Sequence, residues 1–269
     1  MTSPKKHRES RNFLDALGLQ AVVIGALMMR EIHTRYGREN LGFVWLIAEP
    51  FIFCMGVIVI WSTMHGRYEH DVLLLPFVVT GYMPLLLLRH IMGRAVHCFR
   101  SNASLLYHRQ VRMLDLLLAR FVLEILGIFI SYLVIAFMFY AAGLYSFPED
   151  WGAFYLGWLY ATLFSVGIGL ILGSLTEIHE WTEKLVGPFG YFMLPVSGAF
   201  FMVDWLPGKF QKYVLWIPTV NAYELIRSGQ FGSSVRVHYD LGYVSFVCAL
   251  LIAIGLILSR NVHKHLVVE

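Results

Sequence analysis

Charged residues are scarce in this chain. Asp, Glu, Lys and Arg together make up 14% of its 269 residues, whereas soluble domains carry roughly 25%. Hydrophobic residues account for 58% of the chain, and the mean hydropathy is +0.63. This composition excludes an ordinary water-soluble globular protein. The net charge of +3 is too small to indicate a nucleic-acid partner.

Motifs for metal, nucleotide or catalytic chemistry are also missing. Cys54, Cys98 and Cys248 lie in or beside apolar segments, at no metal-ligand spacing and in odd number. This excludes a disulfide framework and favours small buried side chains. The nearest match to a P-loop, Gly208-Lys209-Phe210, fails on both sides. No Ser/His/Asp or Cys/His set stands at a recognisable spacing. We therefore expect no catalytic residue, metal or cofactor in this chain, and no enzymatic activity of its own.

Long apolar runs are what the sequence does contain. Six of them approach the length of about 20 residues that a bilayer requires. They predict an all-α integral membrane protein with six transmembrane helices. The predicted spans are about 41–64, 72–92, 114–142, 152–175, 185–203 and 241–259. The chain then divides into a cytoplasmic tail with an interface helix, residues 1–40, and one transmembrane domain, residues 41–269.

The placement of positive charge predicts the orientation. Sixteen of the 21 Lys and Arg residues fall in the tails and connections on one side of the predicted spans. The positive-inside rule assigns that side to the cytoplasm. Both termini are then cytoplasmic, in agreement with an even number of spans.

The first 40 residues predict a helix that lies in the cytoplasmic membrane interface. The apolar stretch from Leu17 to Met29 follows a basic start, as in a signal peptide, but no small-x-small cleavage site follows it. A cleaved signal is the weaker alternative. Thirteen apolar residues are too few to cross a membrane, so we expect Asp15, Gln20 and Arg30 to lie near water.

Several charges fall inside the apolar segments, where insertion costs about 2.5 to 3.5 kcal/mol for each one. Glu49, Arg89 and Arg94 either line a polar cavity or pair between spans, and the sequence leaves both readings open. Arg120 and Glu124 are four residues apart in the third predicted span. That spacing predicts a structural ion pair.

Two connections carry their own patterns. Ser101 and Asn102 can cap a short helix that presses Leu105 and Leu106 on a partner, and a solvated loop is the alternative. The outward connection over 204–239 predicts a re-entrant or interfacial helical hairpin. An aromatic belt is the other reading of its tryptophans, but it does not explain the pair of Glu224 and Arg227.

An ordered series of short motifs runs through nearly the whole chain. The motifs are Arg30-Glu31, Arg35-Tyr36-Gly37, Leu41-Gly42, Trp45, Glu49-Pro50, Gly81-Tyr82-Met83-Pro84, Asn102 to Glu124, Pro195-Val196-Ser197-Gly198, Trp205-Leu206-Pro207, and Asn221 to Arg227. In this order they resemble the permease (transmembrane) subunit of a bacterial capsular polysaccharide ABC exporter. Leu85-Leu86 depart from the family pattern, because an aromatic residue often stands there.

The resemblance implies a homodimer in the bacterial inner membrane that exports a lipid-linked acidic polysaccharide. It implies two copies of an ATP-binding cassette subunit, which would bind ATP and Mg. A periplasmic adaptor, an outer-membrane export channel and membrane lipids complete the implied partners. Nucleic acid is not among them.

The resemblance also implies where function resides. The interface helix corresponds to about 14–36, the coupling helix to about 100–110 and the periplasmic gate helices to about 204–230. Candidates for the substrate entrance and channel are Arg30, Arg35, Arg38, Tyr36, Trp45, Glu49, Arg89 and Arg94. Candidates for ATPase coupling are Arg100, Asn102, Ser104, Leu105, Leu106, Tyr107 and Arg109. Candidates for the gate are Asp204, Trp205, Tyr213, Trp216, Asn221, Glu224 and Arg227.

Other transport functions remain alternatives. A permease for another surface glycan, such as O-antigen or teichoic acid, or for a lipid or a drug, fits the same pattern. An ion-coupled secondary carrier fits less well, because the two halves of the chain show no paired broken helices.

Overall fold

The computed structural model describes residues 13–36, 42–65, 68–69, 72–96, 98 and 112–266. Its regular secondary structure is helical except for one antiparallel hairpin, in which β1 (Tyr68–Glu69) pairs with β2 (Val72–Leu73). The all-α prediction missed this hairpin because strands of two residues carry no periodicity to detect.

Five helices in the described residues are long and apolar enough to cross a membrane. They start within two residues of five of the six predicted spans. Asp150 begins one of them, because its Oδ1 accepts hydrogen bonds from the backbone of Gly152 and Ala153 at 2.8 and 3.1 Å. The five are α2 (Gly42–His65), α3 (Leu74–Ala95), α4 (Met113–Ala141), α5 (Trp151–Ile178) and α9 (Leu241–Leu266).

The predicted fifth span, 185–203, corresponds to α6 (Glu180–Val196), which is not one of these five. Its 17 residues are about 25 Å long, shorter than a hydrocarbon core of about 30 Å. The helix ends at Val196 because Gly198 follows with a φ of +86°. His179 alone separates α5 from α6, although the sequence predicted a turn over 176–184. That α6 crosses the membrane stays a prediction.

The bundle is built around α3, which packs against α2, α4, α5, α6 and a later helix, α8 (Pro218–Phe231). A pair of glycines lets α5 approach α3 and α4 closely. A Cβ on Gly169 would fall 2.5 Å from Ile91 Cγ2 and 2.7 Å from Phe121 Cζ. The spacing of Gly169 and Gly173 predicts such close packing, and the structure confirms it.

The remaining helices differ in exposure. The N-terminal helix α1 (Phe13–Tyr36) packs on α4 and α2, whereas α7 (Gly208–Val214) has no buried residue. Helix α8 lies beside the first turns of α5, where Gly157 meets Ile226 and Gly229 meets Phe154. The polar connection over 204–239 therefore packs at the level of the first turns of α5.

Candidate substrate path and gate

Helix α1 is fixed to α4 by polar contacts at the start of α4. Gln20 Nε2 donates to Asp115 Oδ1 at 3.0 Å, and Asp115 Oδ2 accepts from the backbone N–H of Arg112. One helical turn further, Arg120 Nε lies 3.0 Å from Glu31 Oε1. These contacts hold α1 against the first two turns of α4.

Arg120 also joins this contact to a second cluster. Its Nη1 donates to the carbonyl oxygen of Arg94 at 3.1 Å, and Arg94 Nε donates to Glu124 Oε1 at 3.0 Å. The second oxygen of Glu124 lies 2.9 Å from His90 Nδ1. Arg94 Nη2 lies 3.9 Å from Glu49 Oε2 on α2. We call these residues, Glu31, Glu49, His90, Arg94, Arg120 and Glu124, the ionic cluster.

The sequence left open whether Glu49 and Arg94 line a polar cavity or pair between spans, and the ionic cluster shows contacts between spans for both. Glu49 has an interspan partner in Arg94, yet 28% of its side chain and 34% of that of Arg94 are exposed. The carboxylate of Glu124, 2% exposed, has two neighbours on α3, the guanidinium of Arg94 and the imidazole of His90. The ion pair between Arg120 and Glu124 stays a prediction, since the contacts described here link each of them to other helices. Because a charge at this depth is costly alone, these pairings stabilise the junction of four helices.

Of the other candidates for the entrance and channel, Trp45 is 54% exposed on α2, and Arg89 faces α6. Arg30 is partly buried, and its carbonyl oxygen accepts a hydrogen bond from Thr34 Oγ1. Arg38 lies outside the described residues, as do the side chains of Arg35 and Tyr36. All seven coupling candidates, Arg100, Asn102, Ser104, Leu105, Leu106, Tyr107 and Arg109, also lie outside them.

Arg227 is the centre of the gate region and is fully buried. Its Nη1 donates to the carbonyl oxygens of Gly198 at 2.8 Å and Phe201 at 2.6 Å, and its Nη2 donates to that of Ala199 at 2.6 Å. The guanidinium also stands over the ring of Phe77, 4.3 Å from its centroid. The side chain thus holds the turn that follows α6 against α3 and α8. Burial lowers the pKa of Arg227 to about 10 and Glu224 opposes the shift, so the group stays charged at neutral pH.

Glu224 and Asn221 hold two further segments against α8. The Oε1 and Oε2 of Glu224 accept from the backbone N–H groups of Val203 and His238, each at 3.1 Å. Burial raises the pKa of Glu224, while Arg227 and these two N–H groups counteract the rise. Asn221 donates to Leu215 O at 2.8 Å and accepts from the backbone N–H of Asp240 at 2.8 Å. The polar residues of α8 therefore face protein.

The other gate candidates lie nearer the surface. Asp204 Oδ1 is 3.5 Å from His238 Nε2, and the ring of Trp205 lies 4.7 Å from that of Phe77. Tyr213 and Trp216 are 74% and 72% exposed. The backbone carbonyl of Trp216 accepts from the Tyr243 hydroxyl at 2.6 Å. The gate candidates thus form two groups: buried polar residues of α8 that bind neighbouring segments, and the exposed aromatic residues Tyr213 and Trp216 in and just after α7.

A cavity of about 320 Å³ lies between α3, α5 and α6. Its lining is apolar, with Met92, Ile168, Leu172, Trp181 and Phe189 among its residues. It does not suit a hydrated sugar. In the described residues no group of three or more His, Cys, Asp or Glu side chains could hold a metal ion.

Sequence reasoning missed three residues of these sites. Glu31 directly follows Arg30 in the sequence, and His90 directly follows Arg89. Because Arg30 and Arg89 are candidates for the entrance and channel, this adjacency could have identified the two residues. Tyr191, whose ring lies 5.1 Å from the guanidinium carbon of Arg89, carried no signal in the sequence.

Comparisons with known proteins agree with this architecture. The family description "ABC-2 type transporter" matches residues 22–231. The chain is 40% identical over 253 residues to the capsule polysaccharide export inner-membrane protein CtrC of Neisseria meningitidis serogroup B, covering 94% of this chain and 96% of that protein. It is 32% identical to the capsule polysaccharide export inner-membrane protein BexB of Haemophilus influenzae, over 96% and 98% of the two chains. It is 28% identical to the polysialic acid transport protein KpsM of Escherichia coli, over 90% and 94%.

The match covers most of the described helices, from α1 through α8. The similarity to the named relatives extends over nearly the full length of both chains in every comparison. This chain belongs to the ABC-2 type transporter family, and its relatives there include inner-membrane proteins of capsule polysaccharide export.

Proposed function

We propose that this chain is the membrane-spanning subunit of an ATP-driven exporter that moves a lipid-linked acidic capsular polysaccharide across the bacterial inner membrane. The observation that carries the proposal is the full-length similarity to CtrC, BexB and KpsM, proteins named for capsule or polysialic acid export. The sequence contains no P-loop motif, so ATP hydrolysis requires a separate ATP-binding subunit. Two copies of this chain would form one channel above two such subunits. A periplasmic adaptor and an outer-membrane channel would receive the polymer.

The charge distribution supports an orientation for this subunit. Both termini would be cytoplasmic, since most of the Lys and Arg residues fall on their side. The start of α4, where α1 packs, then lies at the cytoplasmic face. Arg30, Arg35 and Arg38 would meet the anionic head of the substrate there, because the guanidinium fork matches phosphate and carboxylate.

The ionic cluster connects α1 to α2, the first span, so that a movement of α1 can be transmitted to α2. Displacement of Glu31 on α1 would pull on Arg120, which holds the backbone of Arg94, and Arg94 contacts Glu49 on α2. A bundle with such linked charges can shift between discrete packings when the coupling helix moves. We propose that closure of the ATP-binding subunits uses this route to open the channel.

Reconstitution tests the proposal directly. The chain is co-expressed with the ATP-binding subunit of the same organism, purified as a complex and placed in vesicles that contain a lipid-linked acidic glycan. We expect ATP-dependent movement of the glycan, abolished when the ATP-binding subunit is omitted. Transport that persists without ATP and follows an ion gradient would contradict the proposal and favour a secondary carrier. Absence of any complex between the two subunits would also contradict it.

A further inference from the structure

Arg89 is a cation inside an apolar helix, in a setting unlike that of Arg94. It lies about 9 Å before the end of α3 at Ala95, and Tyr191 lies about 16 Å into α6 from Glu180. These two helix ends are on the same side of the bundle, because Gly173 near the end of α5 packs against the carbonyl of Ala95 and α6 follows α5 after His179. Arg89 therefore lies inside a helix that is long and apolar enough to cross a membrane, and Tyr191 lies in the second half of α6, away from the helix ends that meet at Ala95 and Glu180.

Among the described residues, Arg89 contacts no carboxylate. Its guanidinium carbon lies 5.1 Å from the centroid of the Tyr191 ring. Arg94 and Arg120, by contrast, each have a carboxylate oxygen within 3.0 Å. A charge at the centre of a membrane-spanning helix costs about 2.5 to 3.5 kcal/mol on insertion scales. Cation–π contact with a largely exposed ring offsets about 0.5 to 1 kcal/mol of it.

The surface beside Arg89 is rich in exposed rings. Tyr191 is 65% exposed and its neighbour Phe192 is 61% exposed. A guanidinium with no carboxylate partner among the described residues is poorly suited to contact hydrocarbon tails, so we infer that this face borders water or a polar ligand. A guanidinium next to an exposed aromatic ring can recognise a carboxylated sugar. The carboxylate pairs with the guanidinium, and the C–H face of the sugar stacks on the ring.

We propose, resting on the proposed function, that Arg89 and Tyr191 form a subsite of the transport path for a carboxylated sugar residue of the polymer. The guanidinium of Arg89 neutralises the sugar carboxylate, and Tyr191 supports the ring of the same sugar. The subsite would favour acidic over neutral polymers, because a neutral sugar leaves Arg89 without an anion.

The test measures binding to the complex of this chain with its ATP-binding subunit. The probes are a radiolabelled oligomer of sialic acid and the same oligomer with its carboxyl groups reduced to alcohols. The variants are Arg89→Gln, Arg89→Lys, Tyr191→Leu and Tyr191→Phe. Arg236→Gln is the matched control, since Arg236 is an exposed cation outside the spans.

We expect Arg89→Gln to weaken binding of the carboxylated oligomer about tenfold and to leave the reduced oligomer unaffected. Arg89→Lys keeps the charge but loses the fork, so its loss is about threefold. Tyr191→Leu weakens the binding of both oligomers, whereas Tyr191→Phe binds both as tightly as the wild-type chain does, because the ring is retained. Arg236→Gln behaves as the wild-type chain.

Equal affinity of the wild-type complex for the two oligomers, or no binding of either, overturns the subsite. So does an Arg89→Gln variant with unchanged affinity for the carboxylated oligomer. If Arg89→Gln instead reduces retention of radiolabelled phosphatidylglycerol and leaves the oligomer affinity unchanged, Arg89 is a lipid contact and the proposal is wrong. Failure of the proposed function shows separately, since the wild-type complex would then not transport glycan at all.

Discussion

Replacing Arg227 by Met should destabilise the gate region more than any surface change of the same type. The guanidinium is fully buried and donates to three backbone carbonyls of the turn 198–201. Methionine fills much of the same volume but donates no hydrogen bond. The turn then loses its attachment to α8, and Glu224 loses its neighbouring cation.

The structure sets the size of the effect. A hydrogen bond from a charged donor contributes about 1.5 to 3 kcal/mol, and a buried carbonyl left without a donor costs about 1 to 3 kcal/mol. Removing the cation also removes the cost of burying it, which offsets part of the loss. We therefore expect a decrease in the free energy of unfolding on the order of 4 kcal/mol. This corresponds to a fall in the melting temperature of about 10 °C for a chain of this size.

The assay is thermal unfolding of the purified, detergent-solubilised protein, followed by the fraction that stays monodisperse after heating. Arg236→Met is the control, because Arg236 is exposed and should change the melting temperature by less than about 2 °C. Arg227→Lys should fall between the two, since the ammonium reaches fewer of the three carbonyls. An Arg227→Met variant that melts with the control would refute the assignment of Arg227 as the tie between the turn and α8.

Three further predictions concern the ionic cluster, the coupling helix and the substrate entrance. Glu124→Gln should lower the free energy of unfolding by about 2 kcal/mol in denaturant titrations, because Arg94 and His90 lose a charged partner. The exposed Glu149→Gln should have no effect, and equal behaviour of the two would contradict the ionic cluster. Combined Leu105→Ala and Tyr107→Ala should uncouple ATP hydrolysis from export, whereas unchanged ATPase and export rates would exclude the docking site. Arg38→Glu should stop export while the dimer stays intact by size-exclusion chromatography, and normal surface glycan in that strain would exclude a role at the entrance.

Much of the helical framework could be predicted from the sequence because each apolar run is continuous and bounded by turn or charge signals. The apolar run of α4 begins directly after Arg112 and ends before Gly143. For α6 the apolar content continued past Val196, so hydropathy alone extended the span to residue 203. The left-handed backbone at Gly198 ends that helix, so a single residue determines where α6 stops.

The environment of α8 could not be predicted from its polarity. Asn221, Glu224 and Arg227 suggest a helix that faces water, yet all three are buried. Their partners are backbone N–H and carbonyl groups of segments up to 29 residues away in the chain, and no side-chain pattern records such groups. Arg120 shows the same difficulty, since its described partners are Glu31 on α1 and the backbone carbonyl of Arg94 on α3.

The most direct test of the central claim is the location of the capsular glycan in a strain that lacks this chain. Spheroplasts are separated from the surface fraction, and the lipid-linked polymer is quantified in each. We predict that the polymer accumulates in the cytoplasm and that a plasmid carrying the wild-type chain returns it to the surface. Wild-type amounts of polymer at the surface of the deletion strain would contradict the account.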